Sequence, residues 1–132
     1  MCLDRKFNRK NTKTFIDNLD IRVDGYIWLW KCFAVSPRGV LKGQYYGGEC
    51  FYDGKNTCIR KKTGVGYMSG FHCFARKTDA VSWNREESKD SVIVPVKVKK
   101  SWITTIGEQG YNRVNYEKYG KHQIVVCEHI II

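Results

Sequence analysis

The stretch that decides the fold runs Tyr26-Ile27-Trp28-Leu29-Trp30-Lys31-Cys32-Phe33-Ala34-Val35. It is almost continuously apolar and rich in aromatic residues, which is typical of a central strand covered on both faces. Ser36-Pro37-Arg38-Gly39 follows as a type I or II turn, because proline favours the second position and glycine closes the turn. Residues 40–42 are then the hairpin partner. The sequence therefore predicts a β-sheet that begins at this strand.

The segment over residues 91–100 shows the clearest alternation in the chain. Its four valines point to one face, while Lys97 and Lys99 point to the other. Pro95 has no N–H to donate, so the strand has an edge or a bulge there. Residues 70–74 form a further short strand, and residues 102–106 form another that ends in a turn over residues 107–110.

The principal helix is predicted directly after the strand at residues 70–74. It begins at Thr78, a favourable N-cap residue, and runs to about Glu87. Asp79 lies in its first turn, where the helix dipole favours an acidic side chain. Apolar residues between Ala80 and Trp83 give this helix a buried side.

The first 24 residues are polar and basic, unlike the rest of the chain. Asn11-Thr12 caps a short helix over residues 13–20, in which three apolar residues form one stripe. A solvated arm is the alternative. We therefore divide the chain into a basic arm or short helix (1–24) and a single β-rich domain (25–132).

The chain ends in an apolar strand over residues 123–132 that closes with three isoleucines. An apolar strand edge has to be covered, either in the centre of the sheet or by another subunit, and we favour a homo-oligomer through this strand. Together the patterns predict an α+β fold. Its curved, mainly antiparallel sheet carries one principal short helix and an N-terminal one.

The chain has 132 residues, with 23 Lys and Arg against 13 Asp and Glu, and a net charge of +10. Such a surplus attracts polyanions over a Debye length of about 8–10 Å. Nucleic acid, nucleotides, acidic proteins and anionic lipid all fit, although many small phage and ribosome-associated proteins are basic without a specific reason. No apolar run approaches the length of a membrane span, so no membrane partner is expected.

Six cysteines are present, but the N-terminus MCLDRKFNRK lacks an apolar signal region. We therefore expect a reducing, cytoplasmic location, which is the host cell's cytoplasm if the protein is viral. No Cys-x-x-Cys pair occurs, and the histidines are too far apart to share an ion. No metal, no cofactor and no catalytic residue is predicted, so the protein is not expected to be an enzyme.

Candidate ligand-binding residues come from three segments. Arg60 and Lys62 precede two glycines whose backbone N–H groups can form an anion-binding nest. Tyr111, Asn112 and Arg113 combine stacking, base-edge and phosphate contacts, although a solvated loop would have the same composition.

The third segment is Gly70-Phe71-His72-Cys73-Phe74 with the helix that follows it. His72 is a candidate for a phosphate contact, with Phe74 and Trp83 for base stacking. The structural alternative is a histidine whose ring bonds a backbone carbonyl at the strand-to-helix corner.

From Trp30 to Ile132 the chain resembles small, mostly uncharacterised proteins of bacteriophages and prophages. The shared features are an aromatic first strand, a central Gly-Phe-His-x-Phe, a short Asp-Ala helix, a valine-rich strand and a Gly-Glu turn. The matching residues are Gly70, Phe71, His72, Phe74, Asp79, Ala80, Gly107 and Glu108. Some small phage proteins of this size bind and sequester nucleotide second messengers of bacterial immunity, so the resemblance implies that role here.

The leading hypothesis is a non-enzymatic, phage-type binding protein. Its anionic ligand would be a phosphorylated small molecule, foremost a nucleotide or cyclic nucleotide immune signal that the protein sequesters. The alternative is a nucleic-acid- or nucleoprotein-binding inhibitor of a bacterial defence system. A second alternative is a small ADP-ribosyl or phosphoryl transferase with His72 and Tyr111 at its site.

Overall fold

A computed structural model describes residue 3 and residues 5–43, 50–58, 70–85, 90–109 and 122–132. The strands are β1 (Arg5–Lys6), β2 (Ile27–Val35), β3 (Leu41–Lys42), β4 (Cys50–Phe51), β5 (Lys55–Thr57), β6 (Phe71–Phe74), β7 (Ser91–Val98), β8 (Ile103–Gln109), β9 (His122–Cys127) and β10 (His129–Ile131). The helices are α1 (Arg9–Asp17) and α2 (Lys77–Arg85), and a 3-10 turn covers Lys100–Trp102. The predicted α+β class with a curved antiparallel sheet is confirmed.

The sheet has the order β1-β8-β9-β6-β2-β7-β10-β5, and β3 joins β2 to β4. β2 is central, as predicted, and its longest pairing is with β7, from Ile27 opposite Val98 to Ala34 opposite Ser91. β9 and β10 are consecutive in the chain, with Glu128 as the residue between them, yet three strands separate them in the sheet. A short bend can join strands so far apart only because the sheet curls strongly.

Two clusters of buried side chains lie on opposite faces of the sheet. The large core includes Ile27, Leu29 and Phe33 of β2. The small core includes Cys32 of β2 and Trp83 of α2. Alternate residues of β2 enter different clusters because successive strand side chains point to opposite faces. α2 therefore covers one face, while apolar residues of α1 pack against the large core on the other.

Both helices begin earlier than predicted. α1 begins at Arg9, because the side chain of Asn8 accepts a hydrogen bond from the Asn11 backbone N–H at 2.8 Å and caps the helix. α2 begins at Lys77, so Thr78 lies inside it rather than at the N-cap. The pattern identified the helices, but equivalent capping residues nearby made their starts ambiguous.

The predicted turn over residues 107–110 is wrong for the part that the structure describes. Gly107 and Glu108 continue β8, with β1 on one side and β9 on the other. Hydrogen bonding to two neighbouring strands outweighs the turn preference of Gly107. The turn at Ser36–Gly39 is confirmed by a Gly39 N–H to Ser36 carbonyl bond of 2.8 Å, with Gly39 at φ 82°.

The C-terminal isoleucines are covered by the same chain. β10 pairs with β5 through Ile130 and with β7 through Ile131, and Ile130 is fully buried. β10 is therefore an interior strand next to the edge strand β5 rather than the predicted centre of the sheet, and the reason for expecting a homo-oligomer through it is removed. Among the described strands, β10 pairs with β7 only at Lys97. On this side of β7, Pro95 therefore has no partner among the described strands, which agrees with the predicted edge at that residue.

Within the described residues, neither helix is of the length and apolarity that crossing a membrane requires.

Candidate nucleic-acid interface

Among the described residues, a helix covers one end of the face of β2 that carries Trp28, Trp30 and Cys32. α2 lies over Cys32, whose thiol donates to the Ala80 carbonyl at 3.5 Å. The helix begins beside Trp30: the Nζ of Lys77, its first residue, lies 5.0 Å from that ring, and Trp30 packs against the small core. The prediction of a strand covered on both faces is therefore correct as far as Trp30, whereas Trp28, nearer the start of the strand, is only half-buried.

The half-buried region joins four aromatic rings to five cationic side chains, and we call it the aromatic–basic face. Its rings are Tyr26, Trp28, Trp30 and Trp102, and its cations are Arg22, Lys55, Lys77, Lys97 and Lys99. Each tryptophan has at least one of these cations within 6 Å of its ring centre.

Contacts around Trp28 make the surface continuous across two strands. The Arg22 guanidinium lies 5.1 Å from the Trp28 ring centre. Lys97 is the residue opposite Trp28 in the β2–β7 register, and its Nζ lies 5.9 Å from that ring and 5.2 Å from the Tyr26 ring. One lysine thus joins two neighbouring rings.

Trp102 lies at the far end of the face, where its ring centre is 6.4 Å from that of Tyr26. The same side chain also packs against the large core, with its ring centre 5.3 Å from that of His129. The Nζ atoms of Lys55 and Lys99 lie 5.2 and 5.5 Å from the Trp102 ring. At the other end, Lys77 of α2 lies 5.0 Å from the Trp30 ring. Four strand steps of about 3.3 Å place Trp30 roughly 13 Å from Tyr26. The 6.4 Å from Tyr26 to Trp102 extends the face to roughly 20 Å.

Among the described residues, no ion pair compensates the positive charge of the five cations. Within the described part of the chain, none of them forms a salt bridge with an acidic residue. Lys100 differs, since it is paired with Asp17 at 3.1 Å. Asp24 is close in sequence, but its carboxylate accepts a hydrogen bond from the Tyr26 backbone N–H. Because a cation over an exposed ring contributes only about 0.5–1 kcal/mol, these side chains can move to an anion at small cost.

Phe74 and Trp83, two of the predicted stacking residues, lie in the small core. They are 0% and 2% exposed, and their ring centres are 5.9 Å apart. Neither ring has a face for a ligand, so the predicted stacking role is corrected. The helix that carries Trp83 packs this side chain onto the sheet.

His72 has the geometry of a structural histidine whose ring bonds a backbone carbonyl, and not that of a phosphate ligand. Its Nδ1 lies 3.1 Å from the Gly70 carbonyl, so the neutral ring donates to its own strand. Burial, together with the Lys31 charge, lowers the pKa of His72 from 6.5 to about 3. The ring is therefore neutral at physiological pH and brings no charge to an anion.

The Gly-Phe-His-x-Phe pentapeptide is made of packing residues. A Cβ on Gly70 would lie 2.7 Å from a methyl of Val126 and 2.8 Å from the Cys127 carbonyl oxygen, so only glycine allows this approach of β6 to β9. Phe71 enters the large core and Phe74 the small core. The most specific part of the resemblance to phage proteins thus lies in the core.

Lys31 is a half-buried cation on the large-core side of β2, and its pattern in the sequence did not identify it. Its Nζ donates to the His72 carbonyl at 3.1 Å and lies 5.5–5.9 Å from the rings of Phe33, Phe51 and Phe71. The ammonium supplies a donor at the place where β2 and β6 share only one paired position, Trp30 opposite Phe74. Its role is to hold these strands together.

A second polar cluster docks α2 on β9. The Asp79 carboxylate accepts from Arg76 at 2.9 and 3.0 Å and from the Gln123 backbone N–H at 3.2 Å. The same carboxylate lies 3.4 Å from Nδ1 of His122, which is buried between the Phe74 and Trp83 rings. Burial raises the pKa of Asp79, but the bonds from His122, Arg76 and Gln123 outweigh it and keep the pKa below its usual value.

The remaining predicted ligand residues, Arg60, Lys62, Tyr111, Asn112 and Arg113, lie outside the described residues. The described residues bring no three His, Cys, Asp or Glu side chains together as metal ligands. The aromatic–basic face was missed because its two strands are far apart in the chain. Its signal was the shared period of two: Tyr26, Trp28 and Trp30 in one strand, and Lys97 and Lys99 in the other.

The comparisons with known proteins give no information on function, so the proposal rests on the fold and the aromatic–basic face. The resemblance to small phage proteins therefore stays a prediction. The chain matches no protein-family model, no curated protein and no solved structure.

Proposed function

We propose that this protein is a non-enzymatic binding protein whose ligand is single-stranded nucleic acid lying on the aromatic–basic face. The observation that carries the proposal is the series of four neighbouring rings, in which every tryptophan is accompanied by a cation that forms no salt bridge within the described residues. Interleaved rings and cations are the composition that single-strand binding uses. The nucleic-acid alternative is thereby favoured over the small nucleotide signal for this surface.

Binding on this face would divide the ligand between two kinds of contact. Bases would stack on the rings of Trp28, Trp30 and Trp102, each base contributing about 1–3 kcal/mol. The cation now above each ring would move aside and take the neighbouring phosphate, where a charge-assisted bond is stronger. The positive net charge would steer the strand toward the protein at low salt.

An open surface of this kind selects single strands over duplexes. Trp28 and Trp30 stand on β2 and Trp102 ends the 3-10 turn, and all three are half-buried, so each presents part of its side chain to solvent. In a duplex the base faces are already stacked on one another, whereas in a single strand they are free to stack on protein rings. Sequence preference is expected to be weak, because every base has a face to stack. The counter-defence role implied by the resemblance stays a prediction.

A salt titration tests the proposal. Fluorescence anisotropy of a labelled oligothymidine would be measured with the whole protein over a range of salt concentrations, beside the same strand in a duplex. We expect preference for the single strand and a slope of log K against log salt of about −3.5, because five cations would each contribute about −0.7. Absence of binding, or affinity that does not change with salt, would overturn the proposal.

The double variant Lys97→Gln, Lys99→Gln locates the binding. Removing two phosphate contacts should make the salt slope shallower by about 1.4. The control variant Arg38→Gln, Arg85→Gln removes the same charge from exposed positions that contact no ring of the face. An equal change of slope in both variants would show that only net charge matters.

A further inference from the structure

A second concave region lies between α1 and β8, away from the rings of the aromatic–basic face. It is a cleft of about 980 Å³, near the upper end of the range of roughly 300–1,000 Å³ that small-molecule sites occupy. One wall is a single stripe of α1, with residues spaced three and four apart. That stripe consists of Arg9, Thr12, Lys13, Ile16 and Asp17.

The opposite wall is built from the 3-10 turn and its neighbouring strands. Lys100 and Ser101 come from the turn, and Lys6 comes from β1. Phe7 and Ile16 add an apolar part that is continuous with the large core. Among the described residues that line it, the cleft therefore combines four cations and one acid with an apolar surface.

The acid among the described lining residues, Asp17, is already engaged. Asp17 accepts from Lys100 at 3.1 Å, and both side chains are about half exposed. Arg9 and Lys13 are exposed and form no salt bridge in the described part of the chain. Their charges are one helical turn apart on the same stripe and point into the same cleft.

This placement of charge is unfavourable for the helix itself. α1 has no acidic residue in its first turn, where Arg9 and Lys10 face the positive end of the helix dipole. Like charges four residues apart, as in Arg9 and Lys13, also destabilise a helix. A bound anion would relieve both effects. Local rules are broken in this way most often at functional sites.

We infer that the cleft binds a small organic phosphate with two or more phosphoryl groups. The phosphoryl oxygens accept from Arg9 and Lys13, with Lys100 able to exchange its bond to Asp17 for one to the ligand. The organic part of the ligand lies against Phe7 and Ile16. The site shares no residue with the aromatic–basic face, since Lys99 is directed to Trp102 and the next residue, Lys100, to the cleft.

Calorimetric titration of the whole protein with ATP, AMP, tripolyphosphate and adenosine tests the inference. We expect ATP to bind most tightly, tripolyphosphate and AMP to bind more weakly, and adenosine to give no heat. The affinity for ATP should exceed that for tripolyphosphate because of the apolar contact. It should exceed that for AMP because each added charge-assisted contact contributes about tenfold in affinity. Equal affinity for ATP and AMP, or no heat with any probe, would overturn it.

Matched variants locate the site. Arg9→Gln with Lys13→Gln should weaken ATP binding roughly 100-fold, because two charge-assisted contacts are lost. Arg38→Gln with Arg85→Gln removes the same charge elsewhere and should change it little. Lys97→Gln with Lys99→Gln should also leave ATP binding intact, which separates this site from the nucleic-acid face. Similar losses in all three variants would contradict a site in the cleft.

Loss of ATP binding can be distinguished from loss of folding in these variants. Arg9 and Lys13 are exposed and lie where helix electrostatics disfavours them, so their replacement should leave α1 at least as stable. Circular dichroism and thermal unfolding of the cleft variant should match those of the parent protein. Loss of ATP affinity together with loss of helix content would assign the effect to α1 unfolding and count against the inference.

Discussion

The two halves of one face of β2 both lie beside aromatic rings, and the rings have different roles. Beneath α2, Phe74 and Trp83 share the small core with Cys32 and are buried. Toward the start of the strand the described part of α2 extends only as far as Trp30, so Trp28 and Trp30 stay half-buried and cations lie over their rings. Tryptophan is thus a core residue at one end and a candidate ligand platform at the other. Both ends have tryptophan, so the difference in burial follows from coverage by the helix and not from residue type.

The largest expected effect concerns the covered half. Trp83→Ala removes a fully buried ring between Phe74 and His122, which should cost about 3–5 kcal/mol of unfolding free energy. Urea unfolding would measure it. The control is Trp28→Ala on the open half, which should cost much less because its ring is half-buried. Equal losses at the two positions would erase the distinction between the halves.

The next effect is the acid sensitivity of the strand beside the covered half. His72 has a folded pKa of about 3 against 6.5 when unfolded, so below pH 6.5 the unfolded chain binds a proton that the folded protein does not. The contribution of His72 to the free energy of unfolding is therefore complete above pH 6.5. It falls on acidification, by on the order of 3 kcal/mol at about pH 4. Urea unfolding across this range would show the slope.

His72→Asn keeps a donor for the Gly70 carbonyl but cannot titrate, so it should flatten this slope. Asp79 acts at lower pH, since a carboxyl with a lowered pKa loses its contribution only as the pH falls through that lowered value. A slope between pH 6.5 and 4 that survives in His72→Asn would assign it to another group.

The smallest effect belongs to the open half. Trp28→Ala should weaken oligothymidine binding by about 1–3 kcal/mol, roughly 5- to 150-fold, because one stacking platform is removed. Trp28→Phe retains a ring and should retain most of the affinity. Anisotropy titration would compare the two. Binding by Trp28→Ala at the parent affinity would remove this ring from the interface.

Much of the fold was predictable because local patterns agree with it. The alternation in β7, the apolar run of β2 and the Ser36–Gly39 turn each match the structure. The start of α2 was displaced, and Gly107 was assigned to a turn, because neighbouring strands and competing caps decide such details. Phe74 and Trp83 were predicted as ligand residues, since sequence alone does not tell a buried ring from an exposed one.

By itself, the sequence determined the α+β class, the central strand and the positive charge, since periodicity and composition are local properties of the chain. Only the tertiary structure decided how far along β2 the helix α2 lies, and therefore which tryptophans are buried. It also placed Lys97 opposite Trp28, although 68 residues of chain lie between them. The register of two distant strands depends on packing of the whole sheet, so the aromatic–basic face exists only in the folded protein.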